Sequence, residues 1–238
     1  MWCPALATMI TLKIKGRQLS ELPWGWSNGK IMRWSYFIPA GYGLITYLLI
    51  WSFGFGTIAE TEAITEWGKE LGLFGIGDLS PLAITSIGIF LLGTVEVLRA
   101  SATTLGEEIG WRGFLVFELR KVLSFPGVAL FSGLVWASWH WPLLVYYSNN
   151  VLLEFLTFFV VIVSMSFIMT YYTFKSQSLW PAVLFHAVSN VYIQKILPPL
   201  TENVEGKEHW LGENGIMFAL VTCVIGWYYW RKAIREKL

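Results

Sequence analysis

The chain alternates long apolar stretches with short polar ones. Six stretches are long enough to matter: about 34–53, 82–99, 126–147, 151–174, 179–197 and 214–230. About twenty apolar residues span a hydrocarbon core as a helix, and only a helix satisfies its own backbone there. The pattern predicts an all-α fold: a polytopic transmembrane helical bundle of about six spans in one integral domain, 1–238. A seventh segment, about 101–120, is amphipathic and is expected as a membrane-embedded or re-entrant helix. The opening M-W-C-P-A-L-A-T-M-I-T-L lacks a basic region before its apolar run, so a secretory signal is not expected there. At about 18 Å as a helix it is too short to cross, and is either interfacial or the end of a longer span. No repeat or second domain is evident.

Composition supports a membrane protein. The 238 residues are 55% hydrophobic and 14% charged, against about a quarter charged in soluble domains. The 14 tryptophans fit residues that gather at membrane interfaces. A net charge of +1 gives no nucleic-acid signal, and the apolar composition makes the lipid bilayer the expected surroundings. Cys3 and Cys223 make no disulfide framework.

Loop charge predicts orientation. Lys13, Lys15, Arg17, Lys30 and Arg33 precede the first span, Arg99 ends the second, Arg120 and Lys121 precede the third; Lys175 follows the fourth, and Arg231, Lys232, Arg235 and Lys237 close the chain. The positive-inside rule puts these, and both termini, on the cytoplasmic side of the cell membrane. Loops 54–81 and 198–213 are acidic and fit the outside. This pattern closes only if segment 101–120 enters and returns on one side or lies along the membrane.

Ionisable groups inside apolar segments are expensive and mark candidate sites. Glu107 and Glu108 lie in T-L-G-E-E-I-G-W-R-G-F, His140 in V-W-A-S-W-H-W-P, and His186 in A-V-L-F-H-A-V-S-N. Glu108 and Arg112 stand at i and i+4 with the acid first, the better order for a pair. Glu107 is rotated about 100° from Glu108 and is free to point elsewhere. Gly106, Gly110 and Gly113 suit close helix approach. His140 follows Trp136 at i+4, and Pro142 breaks the helix beyond it, leaving carbonyls to fix the imidazole tautomer. Ser178 is the expected N-cap of the helix carrying His186 and Asn190, another i, i+4 pair. Glu96 and Glu154 are also intramembrane acids, and Glu96 has Arg99 at i+3. Each motif alone fits a packing contact as well as a catalytic one.

In this order, E-E-x-x-x-R, aromatic-x-x-x-H and H-x-x-x-N resemble the CAAX protease and bacteriocin-processing (ABI) family, whose best-known branch is the Ras-converting type II CAAX prenyl endopeptidase. The resemblance covers about residues 80–200. It implies a glutamate-dependent intramembrane endopeptidase in which Glu107 and His140 activate a water, His186 and Asn190 steady the oxyanion, and Glu108 and Arg112 complete the first motif. Trp136 stands where the family usually has Phe. The implied substrate is a prenylated CAAX-like or other membrane-associated peptide. A metal-free mechanism is expected on the resemblance; from the residues alone zinc stays open, because Glu107, His140 and His186 could supply three ligands.

The rival from another class is a non-catalytic immunity or scaffold protein with a structural polar cluster; a proton-coupled transporter is a third reading. Convergence of Glu107, His140 and His186 on one cavity separates them. Straight spans would put His140 and His186 about 9 Å or more apart in depth, so convergence requires tilt, a helix break or shifted span ends.

Overall fold

The computed structural model describes residues 1–58, 62–76, 79–148 and 150–238. Parts of the acidic loop 54–81 fall outside them. Among the described residues the longer helices, in chain order, are α1 (Cys3–Ile14), α2 (Gly29–Ser52), α3 (Glu62–Leu73), α4 (Pro81–Arg120), α5 (Phe125–Trp139), α6 (Trp141–Tyr147), α7 (Val151–Ser176), α8 (Trp180–Asn190, continuing through Val191–Ile196) and α9 (Ile216–Arg235). Two short strands, β1 (Gly56–Ile58) and β2 (Thr201–Asn203), pair antiparallel and tie the two acidic loops together.

The helix ends follow local chemistry. The Asn28 side chain accepts the Ile31 N–H at 3.0 Å, and Ser80 accepts that of Ala83 at 3.3 Å, each satisfying an orphan donor of a first turn. Gln177, at φ 52°, ends α7 in a left-handed conformation. Ser178 is not the N-cap of α8 as expected; Leu179 holds that position, although the Ser178 hydroxyl still accepts the Trp180 N–H at 3.2 Å.

The expected span 82–99 and the motif segment 101–120 are parts of one continuous helix. α4 runs 40 residues, about 60 Å of helix, so the motif segment is neither separate nor turned back on itself. Two stretches within it, Leu92–Glu96 and Ile109–Leu115, are wound as π-helix, as is Val191–Ile196 at the end of α8. By length and apolarity α4 and α7 qualify to cross a membrane, and α5 with α6 would be a third span, bent by 45°. α2 and α9 match the bilayer in length, but Trp, Tyr and terminal cations dilute their apolarity.

α7 is the central helix. A Cβ at Gly133 of α5 would meet the Val163 backbone at 3.0 Å, and one at Gly226 of α9 the Ser164 backbone at 2.9 Å. Small residues on both flanks thus let three helices pack backbone to backbone, as membrane bundles do. α8 packs between α2 and α4: Tyr42 donates to Ser189 Oγ at 2.5 Å, and Thr104 to the Val183 carbonyl at 3.2 Å. α1 lies on the motif part of α4, where a Cβ at Gly110 would stand 2.5 Å from Pro4 and one at Gly106 2.8 Å from the Trp2 ring. The glycine spacing serves that approach.

Candidate active site

α4, α5 and α8 carry the three motifs, and their side chains meet. Glu108 and Arg112 on α4 are both fully buried. Arg112 Nη1 donates to Glu108 Oε1 and Oε2 at 3.3 and 3.2 Å, the pair expected from the i, i+4 spacing. The same carboxylate takes a second partner from α8: His186 Nδ1 lies 2.9 Å from Glu108 Oε1. A carboxylate only accepts here, so His186 donates from Nδ1–H, leaving Nε2 for other contacts.

Glu107 takes another direction. It is 1% exposed, and its Oε2 accepts the indole N–H of Trp136 at 3.0 Å. Trp136 lies on α5 one turn before His140. Its carbonyl stands 3.0 Å from His140 Nδ1, a bond in which Nδ1–H must donate. That carbonyl is available because the His140 N–H bonds Ala137 instead, at the break that Pro142 imposes. The tautomer expectation thus has a physical basis: His140 keeps Nε2 as its lone-pair nitrogen.

One cavity, about 270 Å³, is lined by Glu107, Trp136, His140, His186, Ser189 and Asn190, together with Gln194, Glu213 and apolar side chains from α7. Glu108 and Arg112 are not part of its wall. Four of the six expected residues therefore converge, and the other two stand behind His186. The depth mismatch expected for straight spans does not keep them apart; His140 sits at the end of α5, where the chain bends. A second cavity of about 290 Å³ shares His140, Leu143, Phe158 and Glu213 with the first and leads to Glu154 and Asn214. Glu154 accepts from Asn214 Nδ2 at 3.1 Å.

Sequence reasoning overlooked Gln194 and Glu213. Gln194 continues the i, i+4 series of His186 and Asn190, a signal present in the chain; it donates to Glu213 at 2.6 Å. Glu213 comes from a distant loop and has no such signal. Glu96 pairs with Arg99 at 2.6 and 2.7 Å and also with Lys195, and none of the three lines the cavity.

The sequence leaves zinc open at Glu107, His140 and His186. Among the described residues no group of three His, Cys, Asp or Glu side chains could hold a metal ion. Glu107 Oε2 and both histidine Nδ1 atoms are engaged in hydrogen bonds, which leaves Glu107 Oε1 and the two Nε2 atoms for the cavity.

Residues 88–192, which contain all three motifs, match the family model of Rce1-like type II CAAX prenyl endopeptidases. The matched stretch is 105 residues long and is similar to that family. The chain is also 28% identical over 141 residues to CAAX prenyl protease 2 of Methanococcus maripaludis, a match covering 56% of this chain and 48% of that protein. It thus spans about half the length of this relative. All six expected site residues lie within the matched stretch; Gln194 and Glu213 lie beyond it.

Proposed function

We propose that this protein is an intramembrane endopeptidase that hydrolyses a peptide bond with water activated by side chains. The observation that carries this is the meeting of Glu107, His140, His186 and Asn190 on one cavity between helices. A packing cluster would have no reason to surround open space. The family match and the relative's name, CAAX prenyl protease 2, support a membrane-associated peptide as substrate, with a prenylated CAAX-like peptide the first to try.

In this reading a water donates its two hydrogens to Glu107 Oε1 and His140 Nε2. Its oxygen attacks the carbonyl carbon of the scissile amide while a proton passes to Glu107. The new oxyanion is met by the amide N–H of Asn190 and by His186. Since His186 Nδ1–H is tied to Glu108, donation from Nε2 requires the protonated ring, with Glu108 as counter-ion and Arg112 balancing that carboxylate. When the C–N bond breaks, the proton on Glu107 goes to the leaving amine. General-base and oxyanion effects of this kind are each worth about a hundredfold to a thousandfold in rate. No step passes through a metal.

The continuous α4 also supports the orientation. With 81–120 as a single crossing, the cationic ends alternate without a re-entrant turn, and both termini fall on the cytoplasmic side of the cell membrane.

The test is cleavage of a fluorogenic farnesylated CAAX-type peptide, and of a membrane-peptide library, by purified protein in nanodiscs. Glu107→Ala and His140→Ala should abolish cleavage while the protein still inserts and folds, and a metal chelator should leave the wild-type rate unchanged. Full activity in Glu107→Ala, or loss of activity on chelation reversed by zinc, contradicts the proposal.

A further inference from the structure

We propose that Trp136 is the positioning residue of this site: its indole N–H fixes the Glu107 carboxylate so that one oxygen faces the cavity. The inference rests on the reading of Glu107 as general base. Four contacts support it. The ring is 1% exposed, and its Nε1–H donates to Glu107 Oε2 at 3.0 Å. The Arg112 guanidinium lies over its face, 4.3 Å from the ring centroid. The His186 ring meets it edge-on at 5.1 Å, and its own carbonyl accepts from His140 Nδ1. One side chain thus touches the charged residues of the first and third motifs, and its backbone orients the histidine of the second.

The indole N–H is the part that packing cannot supply. Among the described residues no other hydrogen bond reaches the Glu107 side chain. Without a donor, the carboxylate is free to rotate about its last torsion, a soft coordinate, and its two oxygens are equivalent toward the cavity. With Oε2 held, Oε1 is assigned to the water. A phenylalanine at this position would keep an aromatic face for Arg112 and an edge for His186, but it has no donor. The carboxylate would then be held in another way or not at all. The bond therefore belongs to this chain's tryptophan, and the site is built around it.

Two replacements separate the donor from the ring. Trp136→Phe removes the N–H and some volume. 3-Benzothienylalanine at position 136, with sulfur in place of N–H, keeps the indole's shape and removes only the donor. Both are compared with wild type in nanodiscs on the farnesylated peptide, with kcat and KM measured separately. A misplaced catalytic group costs on the order of a hundredfold, so kcat should fall about tenfold to a hundredfold with KM changed by less than about twofold. The benzothienyl protein should melt as wild type does. A wild-type kcat in the benzothienyl protein, or a loss carried by KM, overturns the proposal.

A readout without substrate tests the contact itself. In protein labelled with ¹⁵N-indole, the Trp136 signal, assigned by its loss in Trp136→Phe, should shift on Glu107→Gln. A signal that ignores this change overturns the contact. Full cleavage by Glu107→Ala with the shift present would instead refute the general-base reading while leaving the hydrogen bond standing.

Discussion

Two acid–base clusters join the same pair of helices, α4 and α8, and they are built in opposite ways. In the first, Glu96 receives both Arg99 nitrogens at 2.6 and 2.7 Å and a further bond from Lys195. Its cations are open: the Arg99 side chain is 72% exposed and that of Lys195 41%. In the second, Glu108, Arg112 and His186 are buried, the Arg112 contacts stretch to 3.2 and 3.3 Å, and Arg112 leaves Nε and Nη2 without a partner. The first is saturated at a surface; the second is desolvated, incompletely satisfied and backs onto a cavity. An acid inside an apolar segment is therefore no sign of function by itself. The informative combination is a buried charge, unfilled hydrogen-bonding capacity and adjacent open space, which costs stability.

That contrast can be broken at three strengths. Glu108→Ala has the largest expected effect, because it strands Arg112 and frees the His186 ring at once. Removing one partner of a buried pair costs about 3–5 kcal/mol, so the variant should unfold at clearly lower temperature and lose cleavage. Thermal melting in nanodiscs together with the peptide assay checks both. Arg112→Lys keeps the charge but loses the planar guanidinium over Trp136. It should cost about 2 kcal/mol in stability and lower kcat, read in the same two measurements. Glu96→Gln is the control at the surface: exposed pairs are worth about 1 kcal/mol or less, so melting should move little and kcat not at all. If Glu96→Gln silenced cleavage and Glu108→Ala did not, the two clusters would have been assigned the wrong way round.

The chain announces much of this arrangement. Apolar runs of about twenty residues mark the long helices, because the bilayer fixes that length. The Glu108–Arg112 pair, the break at Pro142 and the close approach at Gly110 follow from one- to two-turn geometry, and all three are found in the structure. What the chain conceals is of two kinds. The π-helical stretches Leu92–Glu96, Ile109–Leu115 and Val191–Ile196 carry no composition signal, since they arise from packing rather than propensity. The second kind is contact between distant segments. That Glu108 takes His186, 78 residues away, and that Trp136 gives its N–H to Glu107 depend on how α4, α5 and α8 rotate against each other. Trp136 was visible as an aromatic residue one turn from His140; its donor role was not. The helix Glu62–Leu73 lies in the acidic loop 54–81, where Trp67 packs against Gly88 of α4.

The central claim is that Glu107 activates water in the cavity. It is tested most directly by single-turnover cleavage of a defined membrane peptide, comparing purified wild type with Glu107→Gln, a change that keeps the shape of the side chain and removes its basicity. The account predicts cleavage by wild type and a loss of at least about a hundredfold in the variant, with melting nearly unchanged. Equal rates in the two proteins would contradict it.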